Sequence, residues 1–147
     1  GTDARRRLSM FLVDTNVLLD LVTEDPVWAA WSQAELEAAA LLGPLAINDV
    51  VYAELSVRYR DIADLDAMVA LAELEHLPMP RQALFLAGKA FQAYRRTGGN
   101  RVSVLPDFFI GAHAAVAGLT LITRDAGRYR TYFPSLALHT PDPPEGG

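Results

Sequence analysis

Three short apolar runs constrain what this chain can fold into: Met10-Phe11-Leu12-Val13, Leu45-Ala46-Ile47 and Leu119-Thr120-Leu121-Ile122. None has the full alternation of a half-exposed strand, and short continuous runs of this kind belong to strands buried on both faces. Each stops abruptly at polar residues, Asp14-Thr15-Asn16, Asn48-Asp49 and Thr123-Arg124-Asp125. Between them the spacing is helical. Val17, Leu18, Leu21 and Val22 follow Asp14 on one face of a helix. A second helix is predicted over 26–42, with Pro26 in its first turn and Gly43-Pro44 ending it. A third runs from an Asn48 cap to about residue 60, and a fourth covers 61–73. Residues 81–96 form another, stopped by Thr97-Gly98-Gly99-Asn100, and Pro106 opens one that reaches about Ala117 before Gly118. Glu75-His76-Leu77 and residues 136–139 supply further short strands. Buried strands alternating with helices predict an α/β sandwich, a mainly parallel sheet covered on both faces, whose ligand site lies at the carboxyl ends of the strands.

With 147 residues and a hydrophobic content of 51%, the chain has enough apolar material for one core, and disorder is excluded. No apolar run is long enough to span a membrane. Cysteine is absent, which removes disulfides, thiolate zinc sites and a cysteine nucleophile, and fits a reducing, cytoplasmic setting. The net charge of −5 argues against a general nucleic-acid coat, so a polyanion would need a local patch or a metal. Residues 10–141 are expected to form the domain. Residues 1–9, with Arg5-Arg6-Arg7, read as an upstream extension, and the Pro- and Gly-rich 142–147 as a loose tail.

Asp14 and Asp125 stand in equivalent places, just past a buried strand, where either could simply cap a helix or turn. Asp107 follows Pro106 in the first turn of a helix, a position the helix dipole favours by roughly 0.3–1 kcal/mol without any function. Glu54 is harder to explain: its same-face neighbours are Val50 and Val57, so it either pairs with Arg58 or is placed there for a task. Taken together, two acids at strand ends and two on adjoining helices can face one crevice. Clustered carboxylates repel, and a hard divalent cation with a preference for oxygen, Mg2+ or Mn2+, resolves that. The three scattered histidines make zinc less natural.

The segments Phe11-Leu12-Val13-Asp14-Thr15-Asn16, Glu54 in its helix, Pro106-Asp107-Phe108-Phe109-Ile110-Gly111-Ala112-His113-Ala114 and Leu121-Ile122-Thr123-Arg124-Asp125 resemble a PIN domain, and particularly the VapC-type toxins of toxin–antitoxin pairs. The likeness runs from about Met10 to Pro141, with Asn48 where the family often has Ser or Thr. It implies a three-layer α/β/α sandwich with a five-stranded sheet, and a metal-dependent endoribonuclease using one or two Mg2+ or Mn2+ ions. By the same resemblance Asp14, Asp107, Asp125 and Glu54 hold metal, the partners are RNA and an antitoxin, and the protein is a homodimer. Thr15, Asn16 and Thr123 are expected to orient the aspartates, or to act only as caps. Arg101, Arg124 and Arg128 flank the acidic segments and are the candidate RNA-backbone contacts. A structure-specific DNA nuclease and a catalytically silent scaffold are the rival readings. A haloacid dehalogenase would want an acid where Asn16 stands. A receiver domain would want a lysine near the site, and the only lysine is Lys89.

Overall fold

The apolar runs become the middle of a sheet. The computed structural model describes residues 10–141, and the expected extension 1–9 and tail 142–147 lie outside them. The strands are β1 (Phe11–Val13), β2 (Leu45–Asn48), β3 (Leu74–Leu77), β4 (Thr120–Ile122) and β5 (Leu138–His139). All pair in parallel, in the order β3-β2-β1-β4-β5. β1 and β2 are buried along their whole length, as continuous apolar strands in a doubly covered sheet must be.

The helices are α1 (Thr15–Val22), α2 (Ala29–Leu42), α3 (Asp49–Ser56), α4 (Ile62–Leu71), α5 (Arg81–Arg96), α6 (Leu105–Ala117) and α7 (Gly127–Tyr132). They flank the sheet as the outer layers of the sandwich, and its core is built from Leu12, Val13, Ile47, Leu55, Phe108, Ile110 and Leu121, all essentially inaccessible. None of the described helices is long and apolar enough to cross a membrane.

Several elements differ from expectation, most by a residue or two at an end and three by more. α2 starts at Ala29 rather than Pro26, because Asp25 Oδ1 accepts the N–H groups of Val27 and Trp28 and holds a turn there. α3 ends at Ser56 rather than near 60, where Arg58 N–H closes a tight turn onto the Leu55 carbonyl. α7 was not expected as a helix at all.

The strand order places the site. From β1 the chain steps outward through β2 to β3, then crosses back over β1 to lay down β4 and β5 on its other side. The order therefore reverses between β1 and β4, and their carboxyl ends open a crevice between the diverging connections.

Candidate active site

Asp14 leaves the end of β1 as the N-cap of α1. Its Oδ1 accepts the Thr15 N–H at 2.7 Å, and its Oδ2 accepts the hydroxyls of Thr123 at 2.8 Å and Tyr129 at 2.9 Å. The carboxyl is only 4% exposed. Burial pushes its pKa up to about 6, and the charge of Asp107 adds to that, while the donors from Thr123, Tyr129 and Thr15 oppose it. Asp14 is thus a cap, as the bland reading had it, but a cap normally sits in water and this one does not.

Glu54 reaches the same crevice from α3. Its partner is Thr15, whose Oγ1–H donates to Oε1 at 2.7 Å, and among the described residues no ion pair links it to Arg58. Burial raises its pKa, and the neighbouring Asp107 raises it further. Asp107 projects from the first turn of α6, with Oδ2 accepting Arg128 Nη1–H at 2.6 Å and Oδ1 lying 3.5 Å from the Tyr129 hydroxyl. Burial raises its pKa against the opposing pull of Arg128, and the charge of Asp125 adds to the rise. Asp125 is the exposed member, at the rim.

All four acids line one cleft of ≈ 190 Å³, with Thr15, Asn16, Leu19 and Tyr129 completing its wall. Asp49, which lies close to Glu54 in sequence, is not among them, since it pairs with His76 at 2.6 Å on the surface.

Thr123 is the hub beneath the acids. Its hydroxyl donates to Asp14 and accepts from Asn16 Nδ2 at 3.3 Å and from the Asp125 N–H at 3.2 Å. Thr15, Asn16 and Thr123 therefore all touch the acids or one another, and the hydrogen bonds run across β1, β4 and α1. Asp20, unremarked in sequence, is buried at 2% exposure and accepts both Ser32 Oγ–H and Arg124 Nε–H at 2.9 Å. Arg124 also lies over the Trp28 ring, 5.5 Å from its centre, and Trp28 packs edge-on against Trp31. Arg101 is exposed. Of the histidines, His113 is buried on the hydrogen bond from Asn48 and lies outside the cleft.

Tyr129 is the functional candidate that sequence reasoning missed. Burial and the neighbouring carboxylates push its pKa well above the usual phenol value, so it stays a donor to Asp14. Its signal in the sequence is faint: aromatics at 129, 132 and 133 mark a packed helix face, but nothing shows that one hydroxyl points at Asp14.

The donor set is oxygen only, and the carboxylates raise one another's pKa, which suits a hard divalent cation. In this conformation no three acidic or histidine side chains among the described residues form a ready-made metal cluster. Arg128 sits on Asp107 instead.

A parallel sheet whose acids gather at the reversal of strand order defines an α/β protein with a carboxylate centre. The PIN-domain family model matches residues 11–134, and the chain belongs to that family. Among solved structures, the chain is similar to VapBC2 from Rickettsia felis bound to a DNA fragment from its promoter, at 21% identity and a TM-score of 0.69, covering 90% of this chain and 99% of that one. It is likewise similar to VapBC-1 from nontypeable Haemophilus influenzae (18% identity, TM-score 0.65, 89% and 97% covered). A toxin–antitoxin complex from Klebsiella pneumoniae is similar at 24% identity, TM-score 0.62, with 86% and 94% covered. No curated protein sequence matches the chain at a significant level.

Proposed function

We propose that this protein is a Mg2+- or Mn2+-dependent endoribonuclease and the toxin of a toxin–antitoxin pair. The observation that carries the reading is the convergence of Asp14, Glu54, Asp107 and Asp125 from four separate segments on one cleft, with Asp14 buried against neutral donors only. A scaffold gains nothing from holding acids in mutual repulsion.

In this reading Asp14, Asp107 and Asp125 hold the metal and Glu54 holds a second ion or orients the attacking water. The chemistry such an ion supplies when bound is the acidification of water and the neutralisation of phosphate charge. The chain's own contribution is rigidity: Thr15, Thr123 and Tyr129 hydrogen-bond the carboxylates of Asp14 and Glu54 and fix them at the wall of the cleft. Arg101, Arg124 and Arg128 contact the RNA backbone. Arg124 spends its Nε–H on Asp20, so its contact would come from the remaining guanidinium nitrogens.

The toxin–antitoxin complexes among the similar structures support an antitoxin partner. A groove of ≈ 580 Å³ lined by Leu18, Leu21, Val22, Leu36, Met68 and Leu74 offers an apolar surface for it. A homodimer is part of the same reading, with exposed Leu84 and Phe85 on α5 as available apolar surface. The absence of cysteine fits action in the cytoplasm.

The test is cleavage of a mixed RNA pool with Mg2+, Mn2+ or EDTA, using wild type and Asp14→Asn in parallel. Metal-dependent cleavage that disappears in the variant is the expected result. Equal activity in both proteins places the chemistry elsewhere, and no cleavage of RNA under any condition, with DNA cut instead or nothing cut, overturns the reading.

A further inference from the structure

Among the described residues, Arg128 is the one cation in salt-bridge contact with any of the four acids. Asp14 and Glu54 are met by a backbone N–H and by hydroxyls, none of which carries charge. The Arg128 contact is short, 2.6 Å from Nη1 to Asp107 Oδ2, and both side chains are about a third exposed or less, at 27% and 33%. It joins α7 to the first turn of α6, at one of the acids that line the cleft. The other Asp107 oxygen faces the Tyr129 hydroxyl, which is already committed to Asp14. Oδ1 therefore has no charged partner, and an ion that takes the Asp107 carboxylate through Oδ2 has to meet the guanidinium of Arg128 there.

We infer that Arg128 is an internal counter-ion of the cleft: its guanidinium and a divalent cation are alternative partners of Asp107 Oδ2, and binding the cation displaces the guanidinium. The inference rests on the metal-dependent reading above for its cation, though not on RNA being the substrate. Its physical basis is charge. Packed carboxylates need a positive partner, and a side chain tethered on a neighbouring helix supplies one until an ion arrives. A partly exposed pair is weak enough to exchange readily, whereas a buried one would lock the site. The long, flexible arginine stem lets the guanidinium leave while α7 stays anchored by its own buried Tyr129. The site is then guarded by a cation that belongs to the chain, which offsets part of the repulsion at Asp107 when no metal is bound and sets a threshold for metal binding.

Two measurements test this. The first is Mn2+ affinity without RNA, by calorimetry, for wild type, Arg128→Gln and Arg128→Lys. Arg128→Gln should bind Mn2+ roughly fivefold more tightly, the fold-change that loss of one competing exposed pair allows. Arg128→Lys, which keeps the charge, should stay near wild type. Unchanged or weaker Mn2+ binding in Arg128→Gln overturns the inference. The second uses the unaltered protein: titration with Mg2+ should shift the Arg128 Nε–Hε signal in 15N NMR at saturation, and a signal that stays put overturns the exchange. In cleavage assays the Mn2+ concentration for half-maximal rate should fall in Arg128→Gln by the same factor as the affinity. If wild type cuts no RNA, the ribonuclease reading fails while the two binding readouts still decide the exchange.

Discussion

A carboxyl that is 4% exposed and held up at about 6 changes charge in a range where proteins are commonly handled, and linkage fixes the sign. In the unfolded chain Asp14 titrates near 3.8, so between that value and about 6 the folded protein holds a proton that the unfolded one has released. Without metal, stability should therefore fall as pH rises through this window and level off above it, by roughly 3 kcal/mol at most. Melting in EDTA checks this: Asp14→Asn should be more stable than wild type at neutral pH, with the gap closing in acid. Its amide can keep the Thr15 contact and donate to the Tyr129 hydroxyl, whose own hydrogen can turn toward Asp107. An Asp14→Asn protein that melts below wild type at neutral pH would contradict it. Tyr129→Phe keeps the packing and removes only the donor to Asp14, so Mn2+ affinity or cleavage should drop by about 10–100-fold while the melting temperature changes little. A large melting loss with unchanged Mn2+ affinity would make Tyr129 merely structural. The contrast between Asp14 and Tyr129 shows what single residues disclose. An acid after a buried strand is a local pattern that marks a candidate; Asp107, Asp125 and the misplaced-looking Glu54 were candidates too, and only their combination pointed to one crevice. A hydroxyl's role depends on which way a short helix faces, and no local pattern encodes that.

α7 was illegible for a physical reason: at six residues, Gly127–Tyr132 is too short to show a helical period. The long helices were plain because their apolar spacing repeats, and α5 was read to its ends. The shifted starts and stops of α2 and α3 came from local turns, at Asp25 and at Arg58, that compete with helix. What holds α7 against the rest is Gly111, in the middle of α6. A Cβ there would stand 2.6 Å from the Phe133 ring and 2.9 Å from the Tyr129 ring, both of them buried. A helix-interior glycine sacrifices roughly 1 kcal/mol relative to alanine, and overpacking a core costs about 1–3 kcal/mol. Both rings are buried and the contacts are under 3 Å, so the clash is expected to win. Gly111→Ala should melt several degrees lower and lose activity as Tyr129 is pushed off Asp14. Gly88→Ala on α5 is the matched control, because nothing lies within 4 Å of its added Cβ. There the propensity term stands alone, and the variant should be as stable as wild type or slightly more so. Equal behaviour of the two alanine variants in thermal melts would mean that Gly111 does not set the α6–α7 spacing.

At the scale of the whole molecule, alternating apolar runs and helical stretches made the parallel sheet legible, whereas the order of its strands was not. Nothing local says that β1 lies between β2 and β4, and that adjacency is what converts separate acids into one cleft. The global charge has a consequence of its own for substrate binding. A chain of net charge −5 repels a polyanion at long range, so if RNA is the substrate as proposed, affinity has to come from the cleft and from a few arginines. Arg101, Arg124 and Arg128 are the candidates, and two of these already carry an internal acid, Asp20 and Asp107. Each phosphate neutralised on a single strand contributes about −0.7 to the slope of log K against log salt, so three contacts give a slope no steeper than about −2. Binding of a labelled single-stranded RNA to the Asp14→Asn protein, at fixed Mg2+ and increasing potassium chloride, measures that slope. Replacing Arg101 with alanine should flatten it by about one contact and weaken binding to all sequences alike. A much steeper slope, unchanged by these substitutions, would mean that RNA is gripped by a basic surface other than the rim of this cleft.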